Sequence, residues 1–333
     1  MQYIKFGNAG IEVSRLALGC MDFTVRQDEK TAAGILDKAL DNGINLLDTA
    51  DTYGDGKSEE VLGKILGGKR EKIILATKFW VNVEKRPNGG GCSRVHIIQA
   101  LEDSLRRLRT DYVDLYQLHH PDKNTPVEET ISTLDTLVKQ GKIRYFGVSN
   151  HYAWQMAHML GVSALHNWEP MVSVQCRYNI IDRAVESEIM PFARRFNIAT
   201  MIYGPLNAGI LAGQFHKGDR IAGDTRVAQS EKYQGKLTED TFNLLDEMKK
   251  IAEKHGITMS QLAFAWLLSK PEVTTALLGG SKPEHFDQVY GVEEINIDPS
   301  DLARIDEMSA QWRFIPFHNQ AVVEGAAPGL NWW

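Results

Sequence analysis

Apolar positions along the chain fall into two alternating patterns. Short, near-continuous hydrophobic runs recur up to about residue 290: RLALGC (15–20), INLLDTA (44–50), KIILATKF (72–79), VDLYQLHH (113–120), IRYFGVSN (143–150), MVSVQCRYN (171–179), ATMIYGPL (199–206) and TTALLGGS (274–281). Runs of this kind suit parallel strands covered on both faces. Between them lie amphipathic stretches with helical starts and stops. SRVHIIQALEDSLRRLR (93–109) opens on Ser93 as a candidate cap and closes on arginines, which favour a helix C-terminus. TPVEETISTLDTLVKQG (125–141) begins Thr-Pro, carries Glu128 as a capping-box acid and stops at Gly141.

Eight strand–helix units follow one another at roughly 30 residues each, with one long gap between the seventh and the eighth. Eight parallel units in about 300 residues predict a (β/α)8 TIM barrel. The competing fold is an open doubly wound sheet, but no GxGxxG follows an early strand. No linker rich in Pro, Gly or Ser divides the chain. Residues 1–333 therefore read as a single barrel domain, with a C-terminal extension, 311–333, beyond the barrel. YIKFGNAGIEVS predicts an N-terminal hairpin around Gly7-Asn8-Ala9-Gly10, placed to close the barrel bottom. The stretch 218–236, inside the long gap, reads as an extended loop, and such loops are more often functional than accidental.

Composition narrows the class. Of 333 residues, 43% are hydrophobic and 24% charged, which is ordinary for a soluble globular protein. A formal net charge of -6 argues against nucleic acid as a partner, since that needs a basic face. Cys20, Cys92 and Cys176 are scattered and odd in number, so neither a disulfide framework nor a CxxC metal clip is expected. The start MQYIKFGNAG lacks the apolar core of a signal peptide. LAFAWLL (262–268) is far too short to span a bilayer. The expected setting is cytoplasmic, with no membrane partner.

The strand ends change the picture more. In such a barrel the chemistry sits at the C-terminal face. There the runs end on Gly19, Asp48, Lys78, His119, Ser149-Asn150, Gln175, Tyr203 and Gly279-Gly280-Ser281. Each has an ordinary reading. Asp48 is a turn former or helix cap as readily as a catalytic acid. Lys78 and Tyr53 can be plain surface residues, and His119 a turn residue before Pro121. What favours chemistry is that the barrel puts all of them on one rim. His119, His120 and Asp122 raise the question of a metal, but adjacent residues on a strand point to opposite faces. Zinc needs three or four converging ligands, so no metal is expected.

Asp48, Tyr53, Lys78 and His119 together make a proton donor. A phenol with a pKa near ~10 is a poor acid at neutral pH. A neighbouring ammonium lowers that value, and a carboxylate holds the ammonium in place. A neutral imidazole beside them can orient and polarise a carbonyl oxygen. The group lacks a strong nucleophile and an electron carrier, so it calls for a cofactor, most naturally a hydride-donating nicotinamide. Ser149, Asn150 and Gln175 can hydrogen-bond a carboxamide, the Tyr203 ring can stack on a flat ring, and GGSKPEHF starts a helix suited to phosphate.

LDTADTYGDGKSEEVLG, ILATKF, DYVDLYQLHHPD, GKIRYFGVSN, VQCRYN, YGPLNAGILAG and LLGGSKPEHF occur in this order and spacing. With them the chain resembles the aldo-keto reductase superfamily over roughly residues 3 to 310. It is more similar to the bacterial sugar- and inositol-type reductases and to potassium-channel beta subunits than to mammalian aldose reductases. The resemblance implies a barrel binding NADP(H) across its C-terminal face. It implies a catalytic tetrad of Asp48, Tyr53, Lys78 and His119, with Tyr53 as acid/base, and a nicotinamide held by Ser149, Asn150, Gln175 and Tyr203. Gly19, Cys20, Met21, Gly204, Pro205, Leu206, Gly209, Leu211, Arg226, Gly279, Gly280, Ser281, Lys282 and His285 are the further cofactor positions it implies.

The chain departs from the family pattern at the adenosine end. His285 replaces the usual Gln or Arg, Gln288-Val289 replaces Glu-Asn, and Gln214 stands where a phosphate-binding Lys is frequent. Ser281, Lys282 and Arg226 still favour NADP over NAD, with NAD left open. The expected function is hydride transfer between nicotinamide and an aldehyde, ketone or sugar carbonyl. The alternative is a nucleotide-binding regulatory subunit with little turnover, and a homo-oligomer is compatible with either.

Overall fold

The computed structural model describes residues 1–23, 27–83, 85–219, 221, 223, 225–280 and 282–313. A short antiparallel hairpin comes first, β1 (Tyr3–Lys5) and β2 (Glu12–Ser14), with Tyr3 opposite Ser14. Eight parallel strands follow: β3 (Leu16–Gly19), β4 (Leu46–Asp48), β5 (Ile74–Phe79), β6 (Val113–Leu118), β7 (Ile143–Ser149), β8 (Ser173–Arg177), β9 (Ala199–Tyr203) and β10 (Thr275–Leu278). They close in the order β10-β3-β4-β5-β6-β7-β8-β9. Each of the eight apolar runs supplies one strand, and closure excludes the open doubly wound sheet. This is a (β/α)8 TIM barrel.

The helices cover the barrel in sequence: α1 (Glu29–Asp41), α2 (Lys57–Leu66), α3 (Arg94–Leu108), α4 (Val127–Lys139), α5 (Ala153–His166), α6 (Ile189–Phe196), α7 (Glu231–Gln234), α8 (Glu239–His255), α9 (Met259–Leu268), α10 (Pro283–Asp287) and α11 (Pro299–Met308). Alternate strand residues divide between two cores. Leu47 and Leu75 face the helices, whereas Leu46 and Ala76 belong to a separate cluster within the barrel.

That inner cluster explains the hairpin. Phe6, Ala9 and Val13 join Leu46, Leu115 and Met201 in it, and Phe6 is fully buried. The turn can lie so close because residue 7 is glycine. A Cβ there would meet the Ala199 nitrogen at 2.6 Å and the Asn197 oxygen at 2.7 Å, and its φ is +56°. The hairpin thus closes the N-terminal end of the barrel.

Two local expectations need correction. Ser93 caps α3 by accepting from the His96 N–H, but Thr125 does not cap α4. Its hydroxyl donates to Asp122 Oδ2 at 2.7 Å, and Pro126 occupies the cap position instead. The 218–236 stretch is not uniformly extended: it contains α7, pinned by Lys236 to Asp182 at 2.5 Å. Of the tail, Trp312 packs on the core and its carbonyl accepts from the Arg183 N–H. Residues 314–333 lie outside the described residues.

Candidate active site

Three neighbouring strands deliver the four expected catalytic residues. Asp48 ends β4, Lys78 lies near the end of β5, and His119 directly follows β6. Tyr53 sits in the turn after β4, where Gly54, Asp55 and Gly56 all have positive φ and reverse the chain into α2. The ladder between β4 and β5 carries Asp48 beside Ala76 and leaves Lys78 one pleat higher on the same inner face. Hydrogen bonds then join the four elements.

Lys78 is fully buried and spends all three ammonium protons. It donates to Asp48 Oδ2 at 2.6 Å, to the Thr49 carbonyl at 2.8 Å and to the Tyr53 hydroxyl at 3.1 Å. Burial opposes its charge, but the Asp48 carboxylate and Tyr53 outweigh burial and hold its pKa above the ordinary lysine value. Asp48 is therefore neither an Asx-turn nor a cap. The side-chain oxygens bond other side chains: Lys78 on Oδ2, and the amides of Gln117 (3.1 Å) and Gln175 (2.8 Å) on Oδ1. Strands β4, β6 and β8 alternate around the barrel, so the contacts form one interior layer.

The Tyr53 phenol differs from expectation. Burial raises its pKa, Lys78 only partly offsets this, and the net shift is upward rather than downward. His119 behaves as expected for a neutral imidazole. Burial, Lys78 and His120 push its pKa down to about 3. Its ring stands edge-on to Tyr53, with centroids 5.9 Å apart.

His119 and His120 do not point to opposite faces. Strand β6 ends at Leu118, so the pleat no longer governs them, and their rings stack at 4.8 Å with an interplanar angle of 6°. Trp80 meets His120 edge-on at 5.2 Å.

The expected cofactor positions continue the same rim. Ser149 ends β7 and Asn150 directly follows it, Gln175 lies on β8 and Tyr203 ends β9. The Ser149 hydroxyl donates to the Gln175 carbonyl at 3.1 Å, and Asn150 donates to the His119 carbonyl at 3.0 Å and to Ser149 Oγ. Tyr203 donates to Asn150 Oδ1 at 2.8 Å. Ser149 Oγ and Asn150 Oδ1 each keep an unused lone pair, and Gln175 Oε1 bonds no described residue. Three acceptors therefore remain on adjacent strands, which fits the two N–H donors of a nicotinamide carboxamide.

The remaining positions lie on the other side of the mouth. Gly19 ends β3, Cys20 is buried and Met21 is exposed. Gly204, Pro205, Leu206, Gly209 and Leu211 form the connection leaving β9, which contains 3-10 turns over Asn207–Ala212. Gly279 and Gly280 follow β10, Lys282 precedes α10 and His285 lies within it, while Ser281 is outside the described residues. Arg226 has a partner already: one guanidinium nitrogen contacts both Asp22 oxygens, at 2.7 and 2.8 Å. Lys282 is exposed and has no ion pair among the described residues.

Gln117 escaped the sequence reading. It stands two residues after Leu115 on β6 and so shares its inner face, and that two-residue period was the available signal.

The helices among the described residues include none long and apolar enough to cross a membrane. In comparisons with known proteins, the profile of the Aldo/keto reductase family matches residues 15–310. The aldo-keto reductase YhdN of Bacillus subtilis is 34% identical, over 92% of this chain and 93% of its own length. A probable voltage-gated potassium channel subunit beta of rice (Oryza sativa subsp. japonica) is 35% identical, over 85% and 88%. The L-glyceraldehyde 3-phosphate reductase of Escherichia coli O157:H7 is 32% identical, over 92% of each chain. This chain belongs to the aldo/keto reductase family of oxidoreductases.

Proposed function

We propose that the protein is an NADP(H)-dependent reductase of aldehydes, ketones or sugar carbonyls, with Tyr53 as the proton donor. The observation that carries this reading is the Tyr53 hydroxyl, 3.1 Å from a buried ammonium that is itself held by Asp48. When bound, the nicotinamide supplies hydride to the carbonyl carbon. Every other part falls to the chain.

Tyr53 gives its proton to the carbonyl oxygen as negative charge develops there. Lys78 stabilises the phenolate left behind, and the carboxylate of Asp48 keeps Lys78 charged inside the barrel. His119, neutral over the working pH range, aligns the same oxygen by hydrogen bonding. Ser149, Asn150 and Gln175 orient the carboxamide, and Tyr203 packs against the ring. Lys282 favours a ribose phosphate and hence NADP over NAD. The raised Tyr53 pKa suits reduction, because the phenol stays protonated until it is needed. In the reverse direction, Tyr53 would have to start as the phenolate.

The alternative is a nucleotide-binding regulatory subunit, which the name of the rice relative brings to mind. A single assay separates the two. NADPH oxidation is followed against a panel of aldehydes, ketones and sugars, alongside nucleotide binding. Binding with no turnover on any carbonyl would favour the regulatory reading.

A further inference from the structure

Asp48 is oriented by more than the residue it serves. Its Oδ2 takes the Lys78 ammonium, while its Oδ1 takes two amide N–H groups, from Gln117 on β6 and Gln175 on β8. A carboxylate only accepts, so both amides must turn their nitrogens inward. The consequences for the two glutamines differ. Gln175 is left with Oε1 free for the carboxamide site. Gln117, fully buried, is left with an Oε1 that has no hydrogen-bond partner. An apolar side chain would avoid that unsatisfied oxygen, so the amide of Gln117 is retained at a cost in stability.

The geometry also fixes what the amide controls. With all three Lys78 protons assigned, the direction of the one on Tyr53 depends on where Asp48 holds the other end. We infer that Gln117 is a positioning residue for proton transfer: it anchors Asp48 independently of the cofactor and so keeps Lys78 aimed at the Tyr53 hydroxyl. Gln175 cannot take this role alone, because it also faces the nicotinamide. The inference rests on Tyr53 being the proton donor.

The test compares the wild type, Tyr53→Phe, Gln117→Met and Gln117→Glu, each saturated with NADPH and assayed on the best carbonyl substrate. Methionine keeps the length and removes the donor. In Gln117→Met, kcat is expected to fall about ten-fold, while KM and the NADPH Kd stay near wild type. With Lys78 less well aimed, the basic limb of the kcat profile should move up by roughly one pH unit. Gln117→Glu donates to Asp48 only while protonated. Its activity should approach wild type at low pH and fall as the glutamate ionises.

A merely structural Gln117 would change the melting temperature and leave the pH profiles superimposed. That result, with Tyr53→Phe inactive, overturns the positioning role and spares the proton-donor reading. A Tyr53→Phe protein with full turnover removes both. Should the methionine variant fail to fold, the glutamate variant carries the same comparison through its pH dependence.

Discussion

Lys78 and Tyr53 are 25 residues apart in the chain, yet the Lys78 ammonium donates to the Tyr53 hydroxyl at 3.1 Å inside the barrel mouth. The contact survives burial because Asp48 compensates the ammonium at 2.6 Å. An unpaired ammonium at this depth would lose its proton.

Replacing Tyr53 with Phe removes the hydroxyl and keeps the ring. NADPH binding is expected to persist, because Tyr53 is not among the expected cofactor contacts. Turnover should drop by about two or more orders of magnitude, the scale of general acid catalysis. Asp48→Asn should do less harm, since it weakens the support of Lys78 and leaves the acid in place. Steady-state kinetics alongside fluorescence titration of NADPH would decide it. Near wild-type turnover in Tyr53→Phe is the result that removes the assignment.

Arg226 is engaged with Asp22, so Lys282 is the better candidate for reading the ribose phosphate. Lys282→Ala should weaken NADPH by about 1–3 kcal/mol, as expected for a charge-assisted contact, and leave NADH nearly unchanged. Equal losses for both nucleotides would assign Lys282 another role.

His119 holds its proton only below about pH 3. The kcat profile between about pH 5 and 8 should therefore carry no inflection from this imidazole. Ring-nitrogen NMR should show it neutral throughout, and titration near ~6.5 would contradict the geometry. Its effect on stability follows the same sign. The unfolded chain takes up this proton near ~6.5 and the folded chain does not, so stability is lost as pH falls below that value.

Asp51 behaves in the opposite sense. It is buried, with Oδ1 unpartnered, and burial together with nearby Glu59 raises its pKa to about 8. The unfolded chain releases this proton near ~4. The contribution to stability is thus complete below ~4 and declines as pH rises to about 8, by of order 1 kcal/mol per pH unit. Asp51→Asn should flatten that part of the melting-temperature profile. A slope identical to wild type would mean that Asp51 ionises normally.

Much of this was legible in the sequence. The eight strands show because near-continuous apolar runs have few other uses, and Asp48, Lys78 and His119 show because they end such runs. Other features depend on three-dimensional neighbours. Arg226 and Asp22 are 204 residues apart, and Tyr203 and Asn150 are 53 apart, so nothing local announces either pair. The raised Tyr53 pKa reflects burial, which a residue pattern does not measure. Gln117 hid inside its run, one pleat short of the end. The stacking of His119 on His120 depended on where β6 stops.

The hairpin that carries Phe6 makes the barrel a cul-de-sac. Phe6, Leu46, Leu115 and Met201 fill the space beneath Asp48 with apolar side chains. On the proposed function, cofactor and carbonyl would therefore both reach Tyr53 through the open end at the strand C-termini. Under that reading, the molecule that lies deeper arrives first and departs last, an order of binding imposed by how the far end of the barrel is stoppered.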